Sequence, residues 1–291
     1  MGDHGKASFG NGEVRVRQRR DLGDGFSAGW LHTRGGMEPR TPSPPGSRGP
    51  LPWTSAPDSE RNSMARPGDE NVLAQMEAGG VIPIFTADDP ITARQVAACV
   101  VEGGLRVLEF TNRSAAALAV FGDLVRWGRE ELPSLKVGIG TITDSEAAQR
   151  ALDLGACFVV GPCLVEEVAA VCSGRRVPYI PGCATVTEMW RAHQLGAAMV
   201  KLFPAAALGG PEFLRAVRAA CPWVRAVPTG GVEPSEESLR AWFGAGAPAV
   251  GLGSNLLPPR AIAAGDWPGL RRSVAAVVAA AAAARAGDPF C

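Results

Sequence analysis

Beyond residue 70 the chain alternates with a regular beat. Short apolar runs are separated by amphipathic stretches of helical length. The runs are VIPIFT (81–86), LRVLEFT (105–111), KVGIGT (136–141), CFVVGP (157–162), VPYIPG (177–182), AMVKLFP (198–204), VRAVPT (224–229) and PAVGLG (248–253). Each is too short for a helix and is bounded by turn residues, so each predicts a buried strand. The intervening stretches carry helix punctuation. ITARQVAACVVEGG follows Pro90 and ends on a glycine pair, while SEAAQRALDLG and PSEESLRAWFGAG begin on polar caps and end on glycine. Eight strands alternating with helices over about 200 residues is the count of a (β/α)8 barrel. NVLAQMEAG, ahead of the first strand, predicts a helix placed to plug the barrel floor, and the alanine-rich tail predicts a helix closing the outer ring. A doubly wound open sheet is the alternative; it fits less well because no glycine-rich dinucleotide fingerprint follows the first strand.

Residues 1–68 lack this beat. They hold Gly, Pro, Ser and Arg without periodicity, as in GGMEPRTPSPPGSRGPLPW. Such a composition cannot bury enough apolar surface to offset its chain entropy, so it predicts a disordered extension, or sequence upstream of a start near Met64. Residues 69–291 then form a single α/β domain. The tail VAAVVAAAAAARA is too weakly apolar to prefer lipid, and the N-terminus lacks the apolar core of a signal peptide.

Formal net charge is zero and no basic block stands out, which argues against a nucleic-acid partner; a membrane partner is not expected either. The seven cysteines show no C-x-x-C spacing and several lie in apolar runs, as expected of free thiols in a reducing cytoplasm. Of His4, His32 and His193 only the last falls in the patterned region, so neither a metal site nor any other cofactor is predicted.

Composition changes the picture at one point. The chain has three lysines, Lys6, Lys136 and Lys201, among 29 lysines and arginines. Lys136 begins the third strand; Lys201 stands near the C-terminal end of the sixth, the end at which barrels of this type place their chemistry. Met199, Val200, Leu202 and Phe203 surround it in sequence and would desolvate its ammonium, favouring a free amine able to attack a ketone and form an imine. The plain alternative is a lysine snorkelling out of a strand. Glu109 ends the second strand, and alternation puts Glu109, Thr111 and Arg113 on one side. A carboxylate there could pass protons. Arg113 could hold a substrate carboxylate, with the Thr141 hydroxyl and amide assisting. The plain alternative is a Glu109–Arg113 salt bridge at the rim. Glycine stretches follow the last two strands, TGG (229–231) and GLGS (251–254), where this architecture binds phosphate.

These residues resemble a known family. LEFTNR, GIGT, IPGCATVTE, VKLFPA, PTGGVEP and GLGSNL, in this order, are similar to the bacterial 2-keto-3-deoxy-6-phosphogluconate (KDPG) aldolases, some of which also act as 4-hydroxy-2-oxoglutarate (KHG) aldolases. The resemblance runs from about residue 71 to 285. It implies a metal-free class I aldolase acting on a small 2-keto acid, without cofactor, in a homotrimer of barrels. By matched position Lys201 would form the imine and Glu109 would be the general acid/base. Arg113 and Thr141 would hold the pyruvyl carboxylate, and Gly230, Gly231, Gly253 and Ser254 the phosphate. Pro162, Phe203 and Thr229 are expected to line the pocket. The chain departs from the family at Gly161-Pro162-Cys163 and at Asn255, where Ser-Pro-Gly or Thr-Pro and a tryptophan are common. This leaves the aldehyde and the sugar-acid epimer open. A galactonate-epimer aldolase, a thiamin-phosphate-synthase-like barrel and a sugar-phosphate sensor remain as alternatives.

Overall fold

The computed structural model describes residues 72–286. The predicted extension at 1–68 lies outside the described residues. Each of the eight apolar runs contains a strand, shorter than the run in every case. The strands are β1 (Val81–Phe85), β2 (Val107–Thr111), β3 (Lys136–Gly140), β4 (Val159–Val160), β5 (Tyr179–Ile180), β6 (Gly182–Cys183), β7 (Val200–Leu202), β8 (Ala226–Pro228) and β9 (Val250–Leu252). The run at 177–182 yields two strands because Pro181 has no N–H to donate and interrupts the ladder.

All pairings are parallel. Six strands form one sheet in the order β5-β4-β3-β2-β1-β9, and three form a second in the order β6-β7-β8. Pro181 alone separates β5 from β6, and its carbonyl still accepts from Lys201 N at 2.8 Å. A parallel bridge between Thr229 and Gly251 joins the end of β8 to β9.

The helices are α1 (Val72–Gly79), α2 (Pro90–Glu102), α3 (Ala117–Glu131), α4 (Ser145–Leu154), α5 (Glu166–Arg175), α6 (Val186–Gln194), α7 (Gly210–Ala220), α8 (Glu236–Gly244), α9 (Pro259–Ala263) and α10 (Trp267–Ala286). Their starts follow the expected capping chemistry. Asp89 accepts from Thr92 N at 2.8 Å, Asp144 from Ala147 N at 2.7 Å, and Thr185 with Glu188 forms a capping box. The alanine-rich tail is α10; it buries Leu270, Val274, Val277, Ala281 and Ala284 and packs on α2 and α8. Gly103 makes the approach to α2 possible, because a Cβ there would lie 2.4 Å from Val274 Cγ1. No described helix is long and apolar enough to cross a membrane.

Parallel strands covered on both faces need apolar residues at every step, and the burial is of that kind. One cluster fills the space between strands and helices, with Leu108, Phe110, Ile139, Val200 and Leu202 among its members. Ile82, Val107, Phe158, Val160, Ile180, Met199, Val227 and Ala249 form a second cluster on the opposite face, capped by Val72 and Met76 of α1. The helix before the first strand therefore packs on this face of the strands through Val72 and Met76. Phe158 is fully buried in this second cluster, and Gly138 makes room for it: a Cβ at 138 would meet the ring at 2.4 Å. Phe158→Ala is expected to lower unfolding free energy by about 3–5 kcal/mol through lost transfer and cavity formation, measured by denaturant titration.

Candidate active site

The described residues bury four polar or charged side chains: Glu109, Thr111, Lys201 and Thr229. All four share the parity of the second cluster. Val107 leads to Glu109 and Thr111, Met199 to Lys201, and Val227 to Thr229. One face of the strands is thus apolar at the α1 end and polar toward the strand C-termini, and the polar side chains converge there.

At the centre, Lys201 Nζ donates to Glu109 Oε1 at 3.4 Å, with side chains 10% and 4% exposed. Burial of two charges is costly unless they pair. The backbone fixes both ends of this pair. Glu109 lies opposite Gly138 of β3 and Ile84 of β1; Lys201 lies opposite Gly182 of β6 and Val227 of β8. Lys201 is therefore not a lysine snorkelling to solvent, and the rim salt bridge Glu109–Arg113 does not form: the carboxylate is committed to Lys201. The Phe203 ring, 38% exposed, stands at the mouth with its centroid 5.5 Å from Lys201 Nζ, a cation–π distance.

Two glycines give the pair its space. A Cβ on Gly140 would lie 2.0 Å from Glu109 Oε1 and 2.9 Å from its Cγ, so the carboxylate crosses β3 only because residue 140 is bare. A Cβ on Gly182 would lie 2.1 Å from the Pro162 carbonyl oxygen, so glycine lets the loop after β4 close over β6. Pro162 is thereby held near the strand that pairs with Lys201. The sequence carries a signal for the first of these: Gly138 and Gly140, two apart in a strand, leave one face of β3 bare beyond Lys136. Gly140→Ala is expected to cut turnover by roughly ten- to a hundredfold by displacing the carboxylate, with circular dichroism unchanged and steady-state rates as the readout.

At the rim, Arg113 Nε donates to Thr141 Oγ1 at 3.4 Å, which brings together the two side chains expected to share one anion. Thr141 has φ 62°, a left-handed conformation that a β-branched residue adopts at a cost in strain. Arg113 is exposed and makes no ion pair with any described residue. Thr111, between Glu109 and Arg113, spends its hydroxyl on the Phe85 carbonyl at 3.2 Å.

On the other side of Lys201, Thr229 is buried with its amide donating to Leu202 O at 3.0 Å and its carbonyl accepting from Ala205 N at 2.9 Å. A Cβ on Gly251 would meet Thr229 Oγ1 at 2.3 Å, so the hydroxyl leans across β9. Gly230 and Gly231 follow with φ 88° and 81°, which favours glycine at both. The N–H groups of Gly231 and Ser254 have no acceptor among the described residues. The turns after β8 and β9, holding Gly230, Gly231, Gly253 and Ser254, are adjacent through the Thr229–Gly251 bridge.

Among the described cysteines, Cys99, Cys172 and Cys183 are buried free thiols and Cys163 is an exposed one. Burial pushes the Cys172 and Cys183 thiols up to about 12. His193 packs against Trp190 and Trp223, with its ring centroid 4.9 Å from that of Trp223. The described residues contain no group of three or more His, Cys, Asp or Glu placed to hold a metal ion.

A buried amine against a carboxylate, with an exposed guanidinium outside any ion pair at one side and unfilled backbone donors at the other, is equipped to hold an anionic carbonyl compound and move its protons. Comparison with known proteins agrees with that description. A family model described as KDPG and KHG aldolase matches residues 72–273. The 2-dehydro-3-deoxy-phosphogluconate aldolase of Treponema pallidum is 35% identical over 196 residues, 67% of this chain and 90% of the relative. The KHG/KDPG aldolase of Escherichia coli K12 is 32% identical over 192 residues, 66% of this chain and 87% of the relative. A crystal structure of KDPG aldolase from Legionella pneumophila, with pyruvate captured as a covalent carbinolamine, superposes with a TM-score of 0.65 at 29% identity, covering 70% of this chain and 97% of that one. The matched segment contains both strands that carry the Lys201–Glu109 pair, and the chain belongs to the KDPG and KHG aldolase family of carbon–carbon lyases.

Proposed function

We propose that this chain is a class I aldolase that cleaves 2-keto-3-deoxy-6-phosphogluconate to pyruvate and glyceraldehyde 3-phosphate, 4-hydroxy-2-oxoglutarate to pyruvate and glyoxylate, or both. The observation that carries this reading is the buried Lys201–Glu109 contact at 3.4 Å. The scaffold is a (β/α)8 barrel in which β5 and β6 occupy one strand position. The single-residue break at Pro181 and the Thr229–Gly251 bridge support that closure.

In the reaction Lys201 Nζ attacks the C2 ketone, and Glu109 supplies and removes protons as the carbinolamine forms and loses water. The iminium is then the electron sink. Glu109, directly or through water, takes the proton of the C4 hydroxyl, and the C3–C4 bond breaks. Its electron pair passes to the iminium to give an enamine, and the aldehyde leaves. Protonation of the enamine at C3 and addition of water release pyruvate and the free lysine. Arg113, aided by Thr141, holds the carboxylate so that the ketone carbon faces the amine, which lowers the entropic barrier. Pro162, Phe203 and Thr229 line the pocket around the imine.

The backbone donors of Gly230, Gly231, Gly253 and Ser254 and the Ser254 hydroxyl bind the terminal phosphate. Ser254→Ala is expected to lower kcat/KM several-fold more for the phosphorylated substrate than for 4-hydroxy-2-oxoglutarate; equal losses would remove Ser254 from the phosphate site. The same proposal includes a homotrimer, checked by mass in solution, and a cytoplasmic location, which the free thiols of Cys99, Cys172 and Cys183 favour. The deciding experiment is borohydride treatment in the presence of pyruvate followed by peptide mapping. A reduced pyruvyl adduct on Lys201 is the expected product, and an unmodified Lys201 in folded protein refutes the assignment.

A further inference from the structure

Beyond Ser254 the surface dips into an open depression lined by Glu233, Ser254, Asn255, Pro258 and Arg260. It carries one acid and one base, and they do not pair with each other. Glu233 is engaged elsewhere. Asn255 Nδ2 donates to Glu233 Oε1 at 3.2 Å and to the Val232 carbonyl at 3.0 Å, and Glu233 N donates to Ser238 Oγ at 3.3 Å. Arg260 is exposed, and its guanidinium has no hydrogen bond or ion pair among the described residues. Its backbone follows Pro258 and Pro259, whose rings restrict the chain and hold the side chain's origin in place.

An uncommitted guanidinium therefore shares one depression with Ser254, whose N–H has no acceptor, while the only acid of that depression is tethered by an amide. We propose that Arg260 is a specificity-determining residue that binds the terminal phosphate of the substrate. In the same proposal Asn255 is a positioning residue that holds Glu233 so that it does not neutralise Arg260. This deepens the aldolase reading and rests on it for the identity of the substrate, but the anion site is measurable without catalysis. A planar guanidinium presents two parallel donors and a full positive charge to a phosphate, and the neutral turns supply no such charge. The distal end of the site then selects a dianionic aldehyde over an uncharged one by charge as well as by fit.

The test is calorimetric titration of the full chain with sn-glycerol 3-phosphate, with glycerol as the uncharged control. The wild-type protein is expected to bind the phosphate ester and not glycerol. Arg260→Gln is expected to weaken binding by about tenfold, the scale of one exposed charge-assisted contact, and Arg260→Lys by less. Asn255→Ala is expected to weaken binding about threefold by releasing Glu233, and the double variant Asn255→Ala/Glu233→Gln to restore it. Arg260→Gln binding as tightly as wild type, or wild type failing to distinguish the ester from glycerol, overturns the assignment of Arg260. Unchanged affinity in Asn255→Ala overturns the positioning role. Pyruvate trapping on Lys201 of the wild-type chain in the same preparations reports on the aldolase reading alone, so the two fail separately.

Discussion

Lys201→Ala is expected to abolish cleavage and to abolish borohydride trapping of pyruvate, a loss on the order of 10⁴-fold or more, the scale reached when a covalent nucleophile is removed. The size follows from what the lysine alone supplies. Without an imine there is no cationic nitrogen to receive the electron pair of the breaking C3–C4 bond, and none of the neighbours offers a second amine: the other lysine of the domain, Lys136, begins β3 opposite Val107, at the N-terminal end of the strands. The alanine variant also strands the Glu109 carboxylate in a 4%-exposed position without its partner, which destabilises the fold by itself. Lys201→Arg separates the two effects. Arginine preserves a cation for Glu109 yet cannot serve as a neutral amine. Full loss of turnover in a folded Lys201→Arg protein is the expected result, and substantial residual turnover in either variant would overturn the imine mechanism.

Glu109→Gln is expected to lower kcat by about 10²- to 10⁴-fold, the usual scale for deleting a general acid–base group, with a much smaller change in KM. Glutamine keeps the size of the side chain and its place over Gly140 but cannot cycle a proton. Trapping with pyruvate should persist at a reduced rate, because the amine remains while proton transfers during imine formation slow. A variant that traps pyruvate as fast as wild type and turns over as fast would remove Glu109 from the chemistry. Loss of both together with a lower melting temperature would point to a structural role, since Lys201 then lacks its buried counter-charge.

Much of the architecture is legible in the order of residues. The eight apolar runs, the caps at Asp89, Asp144 and Thr185, and the terminal helix are local features. Propensity and periodicity act within a few residues of chain and need no distant partner. Strand lengths were less legible: AMVKLFP contributes only Val200–Leu202 to the ladder, with Pro204, which has no N–H to donate, close behind, and VPYIPG divides at Pro181. The candidate residues were legible by scarcity and parity. A lone lysine in an apolar run and a glutamate two steps from a threonine and four from an arginine stand out in any such strand.

The order of residues is enough for the alternation of elements, for the strands on which Lys201 and Glu109 sit, and for the family to which these motifs are similar, although Glu109 stands in the middle of β2 and not at its end. The packed fold is needed to pair Glu109 with Lys201 and not with Arg113, to make Gly140 and Gly182 clearances for Glu109 and Pro162, and to let Asn255 tether Glu233 while Arg260 stays uncommitted. The reason is separation along the chain. Lys201 and Glu109 lie 92 residues apart, and their distance depends on the register of strands that neither residue influences locally. Side-chain alternation tells which face a residue takes, but the partner it meets there is set by how the sheets bring their strand ends together.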